Sequence, residues 1–317
     1  MARAPTVKLN SGFEMPVLGL GTFSLNPTSF LEPVKYAIDR GYRHIDTGLT
    51  YGSEKDIGVA LKEKIAEGVI KREDMFITTK LWCIHHEPDK VEHGCRLALK
   101  NLGLEYIDLY LMHFPVGFIL VDDETYQPKK PGSDVVTTND VDYVDTWKAM
   151  EKLVEKGLVR SIGLSNFNAE QTERVLKICK IRPVVNEVEC NVEINQSKLL
   201  KFCKDRDIIL MDYCPVVRAN PAKKTPACLY NDRTQAIADK YKKTPVQIAL
   251  KYLVQRGTVP VPGALEKPMI DENIDIFDFK LTADEMKYLD SLNTGKRICE
   301  FEFVDKNHKY YPFNAEF

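Results

Sequence analysis

The chain has 317 residues, 44% of them hydrophobic, and its 44 Lys plus Arg against 46 Asp plus Glu leave a formal net charge of -2. That length can enclose a sizeable core, and the near balance of signs, with no long run of either, argues against a nucleic-acid-binding surface, so any anionic ligand must be held by local features. No stretch reaches the roughly 18 apolar residues of a membrane span and the amino terminus lacks a signal-peptide core, so a soluble cytoplasmic protein without a membrane partner is expected.

In chain order, "TVKLNSGFEMPVLGL" opens with a strand-like run and a Ser-Gly turn, which predicts a hairpin closing the bottom of the fold that follows. Short apolar, β-branched runs then recur at 17–22, 44–48, 75–80, 107–114, 161–166, 184–190, 208–214 and 258–263. Helical patterns lie between them, among them 30–41, 54–68, 145–157 and 244–257; each of these four closes on Gly, and the last has Pro245 just inside its start. Regular alternation predicts a parallel sheet with helices outside, and eight units point to an α/β chain forming one (β/α)8 TIM barrel domain over residues 1–317. A doubly wound sheet is the rival architecture. Long loops at 115–141 and 215–228 follow strands four and seven, at the end where barrel active sites assemble. "TADEMKYLDSLN" adds a C-terminal helix, and the aromatic, charged tail beyond it is expected to cross a barrel face.

Cys83, Cys95, Cys179, Cys190, Cys203, Cys214, Cys228 and Cys299 form no CxxC pair, so most of them read as reduced, buried, small hydrophobes rather than a disulfide or zinc framework. His85 and His86, with Cys83 nearby, match no standard metal-ligand spacing and read as a solvated loop; no metal is expected.

On the predicted barrel Asp46 ends strand two, Tyr51 follows in its loop, Lys80 ends strand three and His113 ends strand four. Singly, these residues read as a packed aromatic, an ordinary ion pair and a core histidine. Together they suit proton transfer. A phenol with a pKa of about 10 is a poor acid at neutral pH, and a neighbouring ammonium such as Lys80 would lower it, with Asp46 keeping that ammonium paired. His113 would donate to a substrate oxygen while a hydride arrives from elsewhere.

At this point the motifs "GYRHIDTGLTYGSE", "TTKLW", "YIDLYLMHFP", "GLSNFN" and "VNEVEC" resemble the aldo-keto reductases, from about Val7 to the C-terminal tail. The resemblance implies a monomeric barrel that reduces small aldehydes or ketones with NADPH. It makes Tyr51 the proton donor, tuned by Lys80 and Asp46, and has His113 position the carbonyl. Relatives that reduce steroid carbon-carbon double bonds carry Glu in that place, so His113 favours carbonyl reduction.

The same resemblance assigns Thr22, Phe23, Ser165, Asn166 and Tyr213 to the cofactor, the last stacking on the nicotinamide. A third carboxamide contact, usually Gln, is here Glu187, which accepts but cannot donate unless protonated and whose charge would favour the oxidised ring. Phe23, Trp82, Phe114 and Phe118 would form an aromatic substrate wall for hydrophobic carbonyl compounds. It would be a wider one than in relatives with Trp at two of these places. Cys299 matches a pocket-edge cysteine.

The strand-eight exit, "VPGALEKPMIDEN", departs further. Relatives hold the 2′-phosphate with Lys, Ser and Arg, where this chain has Gly263, Ala264 and Met269. Glu272 and Asn273 still match the adenine contacts, Glu266 is placed to accept from a free ribose hydroxyl, and Lys267 or Arg218 offers alternative charge. NADH is therefore an open possibility beside NADPH. Two other readings remain: a non-catalytic dinucleotide-binding or structural member, and a sugar-phosphate isomerase barrel, which needs a phosphate site in this same region.

Overall fold

A computed structural model of the chain describes residues 4–25 and 28–315. The expected hairpin is present: β1 (Thr6–Lys8) pairs antiparallel with β2 (Glu14–Pro16), Val7 opposite Met15. Leu9 and Met15 pack with Leu109, Leu111, Val185 and Met211, while Asn10 Nδ2 donates to the Pro183 and Asp207 carbonyls at 2.9 and 2.8 Å. Those carbonyls lie just before two barrel strands, so the hairpin plugs the strands' amino-terminal end.

Eight parallel strands follow: β3 (Leu20–Gly21), β4 (His44–Asp46), β5 (Phe76–Leu81), β6 (Ile107–Met112), β7 (Val159–Ser165), β8 (Val185–Glu189), β9 (Ile209–Tyr213) and β10 (Val259–Pro260). They are hydrogen-bonded in chain order, without the strand-order reversal of a doubly wound sheet. A parallel bridge between Gly21 and Gly263, with the Gly19 and Gly21 amides donating to the Pro260 and Pro262 carbonyls at 3.1 and 3.0 Å, joins the first strand to the last. A Cβ on Gly21 would lie 2.5 Å from the Val261 carbonyl, so this seam requires glycine. β3 and β10 are shorter than the runs that predict them. At the β10 seam Pro260 and Pro262 accept hydrogen bonds but have no N–H to return.

The helices are α1 (Leu31–Asp39), α2 (Glu54–Ala66), α3 (Val91–Leu102), α4 (Tyr143–Glu155), α5 (Ala169–Ile178), α6 (Ser197–Lys204), α7 (Asp232–Tyr241), α8 (Pro245–Arg256), α9 (Lys267–Ile274) and α10 (Ala283–Asp290). α8 shows the local logic: Thr244 and Gln247 form a capping box, Pro245 occupies the first turn, and Gly257 closes the helix at φ 83°. Along β6, Tyr110 and Met112 join the layer under the helices, whereas Leu109 and Leu111 fill the barrel interior. Such strands are buried on both faces, which explains why apolar residues fall on both faces of β6 rather than on alternate positions alone.

The loop between β6 and α4 and the tail after α10 meet over the strands' carboxyl ends. Trp82 Nε1 donates to the Tyr126 carbonyl at 2.7 Å, and the Val136 amide donates to the Phe303 carbonyl at 2.8 Å. Glu189, ending β8, accepts from the Ile298 and Cys299 amides at 2.7 and 2.8 Å and so anchors the tail. Among the described residues, no helix is long and apolar enough to cross a membrane.

Candidate active site

A cavity of about 850 Å³ opens at the strands' carboxyl ends, and its lining includes Asp46, Tyr51, His113 and Glu187. Asp46 is the last residue of β4, Lys80 belongs to β5, and His113 follows β6 directly. Tyr51 closes a single 3-10 turn, Leu49–Tyr51, which ends because Gly52 takes φ 70°. Lys80 Nζ reaches Asp46 Oδ1 and Oδ2 at 2.7 and 2.8 Å and the Thr47 carbonyl at 2.9 Å. The same ammonium lies 4.9 Å from the Tyr51 ring centre, and the Tyr51 hydroxyl is 3.4 Å from His113 Nε2.

Burial dominates the electrostatics. It pulls the Lys80 pKa down, but the Asp46 carboxylate, with Glu187 where that is ionised, outweighs it and keeps an ammonium. Burial followed by the Lys80 charge holds His113 well below the usual histidine range, so its imidazole is neutral. For Tyr51 the expected lowering is reversed on balance. Lys80 does pull the phenol down, but burial pushes it up by more, and Asp46 and Glu187 add to the rise. The ground-state group is therefore a hydroxyl with its proton firmly in place.

Glu187 Oε2 lies 3.2 Å from Lys80 Nζ, yet it makes no hydrogen bond of acceptable angle. Burial raises both neighbouring carboxyls against the pull of Lys80. Asp46, with its two shorter bonds, keeps the ion pair, and Glu187 is left with a pKa pushed up to about 8.

Asn166 braces the Ser165 and Tyr213 side of the cavity. At φ 64° it turns its amide so that Nδ2 donates to the His113 carbonyl and Ser165 Oγ at 3.0 and 3.1 Å, while Oδ1 accepts from the Tyr213 hydroxyl at 2.7 Å. One lone pair on Oδ1 remains. Ser165, Asn166, Glu187 and Tyr213 all line the cavity. The unpartnered Glu187 Oε2 and that lone pair are polar atoms suited to a carboxamide, so the residues present fit a nicotinamide.

The other predicted residues divide. Phe23 stands at the rim, 53% exposed and edge-on to Tyr51 at 5.2 Å between ring centres. Trp82 lines the cavity and meets the His113 ring edge-on at 4.9 Å. Phe114 and Phe118 are fully buried one layer back, stacked on Phe301 and set edge-on to Trp82. Thr22 is also buried outside the lining, bonding the Asp46 carbonyl at 2.9 Å. Glu272 accepts from the Thr244 hydroxyl and Asn273 is buried on α9, both away from the cavity. Gly263 lines the rim, Ala264 is buried and Met269 is exposed. Lys267 Nζ lies over the Tyr36 ring at 5.1 Å, and Arg218 lines the cavity 3.7 Å from Cys299 Sγ.

Sequence reasoning missed Tyr126, Gln127, Phe301 and Phe303, which complete the wall from the long loop and the tail. The position of the 115–141 loop signalled the first two, and the tail's aromatic content the others. The solvated-loop reading of His85 and His86 is corrected: both are buried, His85 and His93 converge through Nε2 on the Asp123 carboxylate, and the His86 carbonyl accepts from Thr146. Among the described residues, all eight cysteines are free, although only Cys83, Cys95, Cys190 and Cys203 are buried.

The family model described as the aldo/keto reductase family matches residues 17–294. Among curated relatives, mouse estradiol 17 beta-dehydrogenase 5 is 40% identical over 325 residues, covering 100% of this chain and 99% of its own. The aldose reductase of Schistosoma japonicum superposes with a TM-score of 0.91 at 37% identity, over 98% of this chain and 99% of its own. A Bombyx mori aldo-keto reductase solved with NADP gives 0.85 at 36% identity, over 98% of this chain and 100% of its own.

Proposed function

The chain belongs to the aldo/keto reductase family and is an NAD(P)H-dependent oxidoreductase that reduces aldehydes and ketones, and on that premise we propose that Tyr51 is its proton donor. Lys80, Asp46 and His113 prepare that step. A bound reduced nicotinamide supplies the hydride. The observation that carries the assignment is the joint placement of Tyr51 and His113, 3.4 Å apart, over the buried Lys80–Asp46 pair in the cavity floor.

Neutral His113, donating from Nε2, and the Tyr51 hydroxyl converge on one position for a carbonyl oxygen. As negative charge develops there, Tyr51 transfers its proton, and the ammonium of Lys80 stabilises the phenolate left behind. Asp46 holds that ammonium in place, and Asn166 fixes both the His113 backbone and the Tyr213 ring. Tyr213 then offers a flat face to the nicotinamide, while Trp82, Phe301 and Phe303 keep the substrate side apolar. This lining supports hydrophobic carbonyl substrates, comparable to the steroid ketone formed when the alcohol that the estradiol dehydrogenase relative is named for is oxidised.

For the cofactor, we read NADPH as accepted with reduced discrimination over NADH. Gly263 and Ala264 supply no side-chain cation at the rim, and Lys267 is engaged with Tyr36. An NADPH preference above roughly a hundredfold, about 2.7 kcal/mol, contradicts this. We take the whole chain as one barrel unit acting as a monomer in the cytoplasm, although residues 1–3, 26–27 and 316–317 of that span lie outside the described residues. The deciding experiment for the proton donor is Tyr51→Phe: NADPH-dependent turnover of an aldehyde is lost while dinucleotide binding persists. Retained turnover sinks the assignment.

A further inference from the structure

The Lys80 ammonium has three N–H groups. Asp46 Oδ1, Asp46 Oδ2 and the Thr47 carbonyl accept from it at 2.7, 2.8 and 2.9 Å, and Glu187 Oε2, at 3.2 Å, is left without a hydrogen bond from it. One buried cation therefore faces two buried carboxyls. Asp212 on neighbouring β9 adds a third carboxyl, offset in part by the more distant Arg256 charge, while His113 and Tyr51 supply none. With every carboxyl ionised the floor would hold uncompensated negative charge, which costs far more in a dry interior than at a surface. The group with the weakest hold on Lys80 keeps its proton. By geometry that group is Glu187, whose Oε2 has no hydrogen-bond partner.

A protonated glutamic acid matches the glutamine it replaces, since each presents one acceptor and one donor. An ionised one does not, but it attracts a cation. Resting on the cofactor reading above, we infer that Glu187 senses the charge of the nicotinamide: it holds its proton beside the neutral reduced ring and releases it beside the cationic oxidised ring, so this chain's preference between the two cofactor forms shifts with pH. The proton account closes. The hydride and its electron pair go from the reduced ring to the carbonyl carbon, the oxygen takes the Tyr51 proton, solvent restores that proton, and Glu187 returns up to one proton to solvent. Its pKa of about 8 places this exchange within reach of ordinary buffers.

The test is fluorescence titration of the full chain with NADPH and with NADP+ between pH 6.5 and 9. In the unmodified protein the ratio Kd(NADPH)/Kd(NADP+) rises at least about fivefold over this range, because each pH unit above a linked pKa contributes up to about tenfold. In Glu187→Gln the ratio stays within about twofold, and this variant also cancels titration of the cofactor's own 2′-phosphate. A flat ratio in the unmodified protein, or the same rise in Glu187→Gln, overturns the inference. Independently of that variant, calorimetry in buffers of different ionisation enthalpy should show proton release on NADP+ binding near pH 7.5 and none with NADPH. Equal release with both also overturns it. Failure of either protein to bind any dinucleotide would instead defeat the cofactor reading itself.

Discussion

The cavity floor and the strand-eight rim are built in opposite ways. On the floor, Asp46, Lys80, His113 and Glu187 are buried and bound to short strand ends, and most of their polar atoms are engaged. At the rim, Gly263 carries no side chain, Met269 is exposed and Lys267 is committed to Tyr36. The floor holds its charges in short hydrogen bonds, the fixed geometry that proton transfer demands. The rim leaves space, and on the cofactor reading proposed above that space relaxes ligand choice. One scaffold can thus hold a reaction constant while its selectivity drifts.

The contrast is broken most severely from the floor. Tyr51→Phe should lower kcat by about 10²- to 10⁴-fold or more while NADPH binding changes only a few-fold, measured by steady-state assay and fluorescence titration. If binding collapses together with turnover, the floor is structural rather than catalytic. Next in size is Lys80→Met. It strips the cation paired with Asp46 and close to Glu187 and should cost about 3–5 kcal/mol in denaturant unfolding, with activity lost. An undiminished midpoint would mean that the carboxyls protonate without penalty.

Much of this contrast was legible in the chain, for physical reasons that differ by region. Strands such as 107–112 announce themselves because both faces are buried, and a parallel barrel gathers their carboxyl ends, so Asp46, Lys80 and His113 could be grouped without coordinates. What escaped depends on contacts distant in sequence. Phe301 and Phe303 reach the wall because Glu189 and Val136 tether the tail. His85 is buried because Asp123, 38 residues away, folds over it. The direction of the Tyr51 shift needed the depth of burial, which spacing does not encode.

From the rim side the comparison can be sharpened by adding what is missing. A Cβ on Gly263 would meet nothing closer than 3.7 Å and the residue has no left-handed φ, so Gly263→Lys fits without rearranging the barrel seam. One new charge-assisted bond to a 2′-phosphate should raise the NADPH over NADH preference about tenfold, or about 1.4 kcal/mol, with kcat on NADPH little changed. An unchanged ratio would show that the phosphate binds elsewhere, with Arg218 the next residue to substitute.

The smallest effect returns to the floor and concerns stability rather than rate. In an unfolded chain a glutamate releases its proton near 4.5, whereas burial holds the Glu187 proton to about 8 in the folded protein. Between those values the folded state binds more protons than the unfolded state, so this residue's contribution to stability falls as pH rises through the window and levels off above it. Glu187→Gln has no such proton. Its unfolding free energy relative to the unmodified protein, followed by Tm at each pH, should therefore climb steadily from pH 5 to pH 8 and then flatten, by an amount on the order of 3 kcal/mol. Asp212, raised by burial to about 7, titrates in both proteins and largely drops out of the difference. A Tm difference that is constant across this range would mean that Glu187 is already ionised at low pH, and that Lys80 neutralises both carboxylates in spite of the 3.2 Å approach and its poor angle.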